Sequence, residues 1–127
     1  MADSYQVAAQ FRAELRRFLR RSEDCSRAFG ITPRQHLLLL QIAGAPDGRT
    51  TVSDLVNTLS LTQSAVTELV QRAEAAGLVD RSPSREDGRV VHLSLTALGS
   101  EKLAAVHAAL GPERQHLRRV VDALGGT

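Results

Sequence analysis

Residues 60–96, SLTQSAVTELVQRAEAAGLVDRSPSREDGRVVHLSLT, constrain the fold of this chain more than any other stretch. They predict a helix, a short strand, a charged turn and a second strand. Thr62 is placed to cap the helix, because its hydroxyl can accept from a backbone N–H that the first turn leaves unpaired. Val66, Leu69, Val70 and Ala73 recur at the spacing of one helical face. Gly77 follows as a terminator able to adopt positive φ. Residues 78–79 and 90–95 are rich in leucine and β-branched side chains, as strands are. Between them, residues 82–89 contain Pro83 and the Asp87-Gly88 pair, both of which favour a turn.

With Val66, Leu69, Val70 and Ala73 turned inward, the helical period puts Ser64, Thr67, Glu68 and Gln71 outside, with Arg72 at the margin. Such a polar face is commonly just solvated. On a helix that enters a major groove, the same donors and acceptors read base edges.

The flanking segments add helices. Asp3 or Ser4 is placed to cap a first helix that runs to about Ala28. Val7, Phe11, Leu15, Phe18, Cys25 and Phe29 form its apolar stripe, and the rest is charged, with Arg12, Arg16, Arg17, Arg20 and Arg21 prominent. A stripe this long needs a partner surface, either the core or another subunit. Gly30 ends the helix. Thr32 caps a second one, with Pro33 in its first turn, where the missing N–H costs nothing. Leu37, Leu38, Leu39, Leu40 and Ile42 make that helix apolar nearly all round, so it is expected at the centre.

Residues 44–48 predict a loop. Thr51 and Asp54 have the spacing of a capping box ahead of a short helix whose apolar face is Val52, Leu55, Val56 and Leu59. Two short helices joined tightly, the second with a polar outer face, make a helix-turn-helix, and the strands and turn that follow make it winged. Thr96 then caps a helix of about fifteen residues. Gly111-Pro112 interrupts it, and residues 125–127 read as its frayed end. Leu103, Leu110, Leu117 and Leu124 are spaced by seven, which suggests a helix–helix seam.

Composition narrows the class. At 127 residues the chain is expected to be one domain with a real core. It has no run of eighteen apolar residues that would span a membrane. Its N-terminus is charged and amphipathic rather than a secretory signal. One cysteine, Cys25, excludes an intrachain disulfide framework and suits a reducing cytoplasm. The net charge is only +2, but every basic residue except Lys102 is arginine, the side chain best suited to phosphate and base contacts.

Little points to catalysis. His36, His92, His107 and His116 show no i, i+4 metal-ligand pairing, and the sequence has no glycine-rich phosphate loop. Cys25 falls on the apolar stripe and reads as a small buried hydrophobe. No enzyme activity, cofactor or metal is expected.

On these residues the chain resembles the MarR family of bacterial transcriptional regulators. The wing carries the likeness best: Asp87-Gly88-Arg89, five residues, then Leu95-Thr96, similar to the family's D-x-R-x-x-x-x-x-L-T signature. Residues 61–81, LTQSAVTELVQRAEAAGLVDR, resemble its recognition helix and following strand, and residues 31–35 resemble the start of its second helix. Many members carry a basic residue where this chain has Glu68. Glu68 here can accept from a cytosine amino group or pair with Arg72.

The resemblance implies a mainly α fold with a small β-wing. Residues 31–96 would be the winged helix-turn-helix, and residues 4–29 and 97–124 would be dimerisation helices, all within one domain. It implies a homodimer joined through Phe11, Leu15, Phe18, Leu103, Leu110, Leu117, Val121 and Leu124. It also implies binding of a near-palindromic DNA duplex through Thr62, Gln63, Ser64, Thr67, Glu68, Gln71 and Arg72 of the helix and Arg81, Arg85, Asp87 and Arg89 of the wing. Arg89 would enter the minor groove, oriented by Asp87, while Arg81 and Arg85 would contact phosphates.

A repressor released by a small apolar or phenolic effector follows from the same likeness, with the effector seated between the DNA-binding lobe and the dimer helices. Some relatives sense zinc or peroxide. The corresponding residues here would be Cys25, Glu23, His36, His107 and His116 for zinc, and Cys25 for peroxide. From a different class, the alternative is a winged-helix module that binds a protein instead of DNA.

Overall fold

The computed structural model describes residues 2–125, so Gly126 and Thr127 of the expected frayed end lie outside the described residues. The first helix, α1 (Ala2–Ala28), begins at Ala2, so neither Asp3 nor Ser4 caps it. Its end is closed by Gly30 N–H donating to the Arg27 carbonyl and Ile31 N–H donating to that of Ser26, the paired bonds of a Schellman motif. Cys25 and Ser26 are buried, and the Ser26 hydroxyl is absorbed by the Ser22 carbonyl at 2.8 Å.

The second helix, α2 (Pro33–Ala43), is capped more completely than its sequence predicts. Gln35 N–H donates to Thr32 Oγ1 at 3.1 Å, and the Gln35 side chain accepts from Thr32 N–H at 3.0 Å. Both orphan donors are thereby satisfied. The helix is the hub of the fold, packed against α1, the sheet and the helices that follow. It is not apolar-packed all round, however. His36, Leu38, Leu39 and Ile42 are buried, whereas Leu37 and Leu40 stand exposed on the far side.

A 3-10 turn (Pro46–Gly48) leads into β1 (Arg49–Thr50), a two-residue strand absent from the expected two-stranded wing. It is followed by α3 (Val52–Leu59). Thr51 accepts from Asp54 N–H at 3.2 Å. The reciprocal bond of a capping box is missing among the described residues, because aspartate is one methylene too short to reach back. Ser60, in the left-handed region at φ 54°, turns the chain into α4 (Gln63–Ala75). Thr62 caps α4 through Ala65 N–H at 3.1 Å, and Val66, Leu69, Val70 and Ala73 are its buried face, as the period predicts.

Gly77, at φ +75°, ends α4 with bonds to the carbonyls of Glu74 and Ala73 made by Gly77 N–H and Leu78 N–H. The sheet is antiparallel in the order β1-β3-β2, with β2 at Val79–Pro83 and β3 at Val91–Leu95. Arg81 pairs with Leu93 and Pro83 with Val91, so β2 reaches four residues beyond the expected segment and takes in Ser82 and Pro83. Proline is tolerated there because β2 is an edge strand. Leu93, on the central strand, is fully buried.

Thr96 joins the wing to the rest. Its hydroxyl accepts from Gly99 N–H at 2.9 Å, capping α5 (Ala97–Ala109), and donates to the Gly77 carbonyl at 2.5 Å. One side chain thus holds the end of β3, the end of α4 and the start of α5 together. After Leu110 the chain breaks direction into α6 (Gly111–Gly125), with Arg114 donating across the break to the His107 carbonyl at 2.7 Å. The expected interruption lies there, and α6 folds back along α1. Among the described residues no helix is long and apolar enough to cross a membrane.

Leu103 and Leu110, expected on a seam between subunits, are buried in the core of this chain with Leu38, Leu39 and Val106. The seven-residue spacing therefore splits in two. Its first half faces inward within the subunit. Its second half, Leu117 and Leu124 on α6, is only half-buried, and Val121 is exposed.

Candidate nucleic-acid interface

The outer face of α4 is a run of polar side chains held at helical spacing by the buried Val66–Ala73 face behind them. Gln63, Ser64, Glu68, Gln71 and Arg72 are exposed, and Thr67 is half-buried at the edge. The Thr62 hydroxyl is committed to the helix cap. Ser64, Thr67 and Gln71 align along one line of the helix at i, i+3 and i+7. Glu68 takes the Arg72 guanidinium at 2.6 Å, one turn on, in exposed surroundings.

The wing turn is built by Ser84, whose Oγ accepts from Glu86 N–H at 3.2 Å and Asp87 N–H at 3.3 Å, and whose own N–H donates to the Val90 carbonyl at 2.8 Å. Asp87 Oδ1 then accepts from Arg89 twice, from its backbone N–H at 3.0 Å and from Nε at 3.2 Å. The carboxylate holds the arginine at its backbone N–H and at Nε, while the side chain as a whole is 92% exposed. Arg81, expected free for phosphate, is tied to Glu74 of α4 at 2.5 Å and is partly shielded. Arg85 is exposed and, among the described residues, has no ion pair.

A groove of about 540 Å3 runs beside α4, between the last turn of α1 and the start of α2. Arg27 and Arg34 line it together with Glu68 and Arg72. Neither arginine is among the DNA-binding residues expected from the sequence. Arg34 lies in the first turn of the capped second helix, which was a local signal, but its approach to α4 is tertiary. This groove also occupies the junction expected for an effector, and half of its lining residues are charged. A second cleft of about 500 Å3 lies between α1 and α6, with Phe18 and Leu117 among charged side chains.

Around that second cleft, Glu14 pairs with Arg17, and the His116 ring lies 3.2 Å from the same carboxylate. Arg17 foremost holds the Glu14 carboxyl below its ordinary value. Arg21 pairs with Glu113 at 3.2 Å. The residues weighed for zinc do not converge, since among the described residues no three His, Cys, Asp or Glu side chains gather where a metal could be held. His36 is buried against α1 instead, its Nδ1 3.5 Å from Ser22 Oγ. Burial, and behind it the neighbouring His107, push its imidazole below the ordinary value.

Comparison with known proteins supports this architecture. A family model described as MarR family matches residues 29–90, which run from the end of α1 to the tip of the wing. The chain is 34% identical over 79 residues to the HTH-type transcriptional repressor MdtR of Bacillus subtilis, covering 62% of this chain and 50% of that protein. It is 33% identical over 57 residues to the HTH-type transcriptional repressor IacR of Pseudomonas putida, covering 45% of this chain and 34% of that one. The chain thus spans half or less of the curated relatives it matches.

Likeness to solved structures is broader. Wild-type MarR of E. coli in its apo form superimposes with a TM-score of 0.73 at 25% identity, over 88% of this chain and 82% of that one. A cysteine-to-serine mutant of the same protein, complexed with operator DNA, gives 0.71 at 24% identity, over 91% and 81%. The matched segment holds α4 and the Asp87–Arg89 wing, and the likeness of fold extends into both terminal helices: over residues 29–90 the chain is similar to the MarR family, and its fold is that of the solved MarR structures.

Proposed function

We propose that the chain acts as a cytoplasmic, homodimeric, sequence-specific DNA-binding transcriptional regulator, most simply a repressor released by a small apolar or phenolic effector. One observation carries the reading: a polar stripe on α4 stands beside a wing whose tip presents Arg89, held by Asp87 at its backbone N–H and at Nε. Ser64, Thr67 and Gln71 would read base edges in the major groove, where each base pair has its own pattern of donors and acceptors. Gln63 and Arg72 would border that contact. Arg89 would enter the adjoining minor groove, and Arg85 would lie along the phosphates.

The names of MdtR and IacR, both repressors, and the operator complex of the E. coli MarR mutant support this reading. In a dimer, two copies of α4 would occupy successive major grooves about one helical turn apart, on a near-palindromic site. The surface left for a second copy is the exposed Phe11 with the half-buried Leu15 and Phe18 on α1, and Leu117, Val121 and Leu124 on α6.

Selection of duplexes from a random library, followed by anisotropy titration of the enriched duplex against the unselected pool, tests the reading directly. Enrichment of a two-fold symmetric motif bound far tighter than the pool is expected. Failure to enrich any duplex would remove the proposal.

One observation favours a protein-interaction module instead. Residues 63–95 carry the carboxylates Glu68, Glu74, Asp80, Glu86 and Asp87 against the arginines Arg72, Arg81, Arg85 and Arg89, an unfavourable balance for a polyanion. In that case the chain would enrich no duplex.

A further inference from the structure

We infer that Glu68 and Glu74 set the specificity of DNA binding by restraining Arg72 and Arg81 until a cognate sequence engages the helix; the inference rests on the regulator reading above. Of the four arginines on α4 and the wing, three are held by a carboxylate of the same face: Arg72 by Glu68 at 2.6 Å, Arg81 by Glu74 at 2.5 Å and Arg89 by Asp87 at 3.2 Å. The third pair leaves its arginine outward, with the side chain 92% exposed. The first two hold their arginines against α4. Arg72 lies along the helix against Glu68, its side chain still 72% exposed, and Arg81 is drawn across from β2 onto the last turn of α4, where it is 39% exposed.

Local helix stabilisation explains Glu68 alone, as an i, i+4 partner. It does not explain Glu74, whose partner lies on another element. A shared effect on DNA explains both. Binding to arbitrary DNA is carried almost wholly by cations on phosphates. A segment with five carboxylates and four arginines, residues 63–95, gains little from that term. Binding to a cognate sequence adds base contacts from Ser64, Thr67 and Gln71, which do not depend on net charge.

The two restraints are weak enough to be exchanged. An exposed ion pair shifts an equilibrium by a few-fold at most. A phosphate can therefore take Arg72 or Arg81 from its carboxylate once the helix is seated, whereas a sliding, unseated complex seldom offers one at the right place. The cost falls mainly on non-cognate complexes, and discrimination rises.

The test uses the full chain with Glu68→Gln, Glu74→Gln and the double variant. Glutamine keeps the shape and the acceptor oxygen but removes the charge. Glu101→Gln on α5 is the control for overall charge. Affinity is measured for a duplex enriched on the wild-type protein and for the unselected pool, at several salt concentrations. The double variant is expected to bind the pool about threefold to tenfold more tightly, with a smaller gain for the enriched duplex. Its salt dependence should steepen by roughly one to two counterions.

Pool affinity that stays level or falls in the double variant overturns the inference. An equal rise in the control overturns it too, since net charge would then suffice. Loss confined to the enriched duplex in Glu68→Gln would show that Glu68 reads a base. If neither wild type nor variants bind any duplex, the regulator reading falls, and the inference with it. If only the variants bind, the wild-type chain is no DNA-binding regulator, and the inference falls with that reading.

Discussion

Gly99 lies against Leu78 so closely that a Cβ on Gly99 would stand 2.1 Å from the Leu78 carbonyl oxygen. The same carbonyl accepts Thr96 N–H at 3.1 Å, so it has little room to move aside. The start of α5 is therefore pressed directly on the backbone that leaves α4.

Gly99→Ala should destabilise the fold by at least the usual penalty for overpacking, about 1–3 kcal/mol, because the obstacle is main chain and not a flexible side chain. Urea unfolding monitored by circular dichroism measures it. A variant with wild-type midpoint would mean that α5 does not sit this close to Leu78.

Arg89→Ala and Gln71→Ala should separate the two kinds of DNA contact. Loss of Arg89, an exposed cation of the wing, should weaken binding to cognate and random duplexes together and flatten the salt dependence by roughly one counterion. Loss of Gln71 should cost about 1–3 kcal/mol for the cognate duplex while random binding holds. Two variants that bind both duplexes as wild type does would show that DNA, if bound, meets another face.

Val121→Glu on α6 should disrupt self-association without unfolding the subunit. Val121 is 39% exposed, so the charge enters water and not the core. Leu103→Glu, by contrast, should unfold the chain, because Leu103 is buried within it. Sedimentation and circular dichroism distinguish the two results. A Val121→Glu protein that sediments like a dimeric wild type would move the seam elsewhere.

His36 should make the fold acid-sensitive in a defined window. Its folded value lies below the ordinary 6.5, so the unfolded chain takes up the proton first. Stability contributed by the neutral ring is complete above about pH 6.5 and is lost as pH falls toward the folded value. Glu14 is shifted in the same sense, lower on the pH scale. Its folded value lies below 4.5, so its contribution is present above that pH and fades beneath it. His36→Gln should flatten thermal stability just below pH 6.5 and leave the lower limb unchanged. An unaltered profile in the upper window would exclude His36 as its source.

What the sequence disclosed was local. Thr32, Thr62 and Thr96 announce helix starts because a cap acts within three residues, and all three make the expected bond. The inward face of α4 follows from its period. The arrangement of Asp87 and Arg89 was likewise visible, two residues apart. What lay hidden was tertiary. Arg49 and Thr50 are too few to show a strand period, and they pair only because β3 passes beside them. Glu74 and Arg81 meet across two elements. Leu103 and Leu117 look alike at heptad spacing, and only the break after Leu110 turns one into the core and leaves the other half-buried along α1.

The sheet order β1-β3-β2 has one further consequence. Both outer strands are poor templates. β1 is two residues long, and β2 carries Asp80 and Arg81 and ends on Pro83, which lacks a donor. A passing chain finds too few free backbone groups on either rim to add a strand. The wing can thus project without becoming a nucleus for fibrils, and in the proposed dimer contact between copies would be left to the helices.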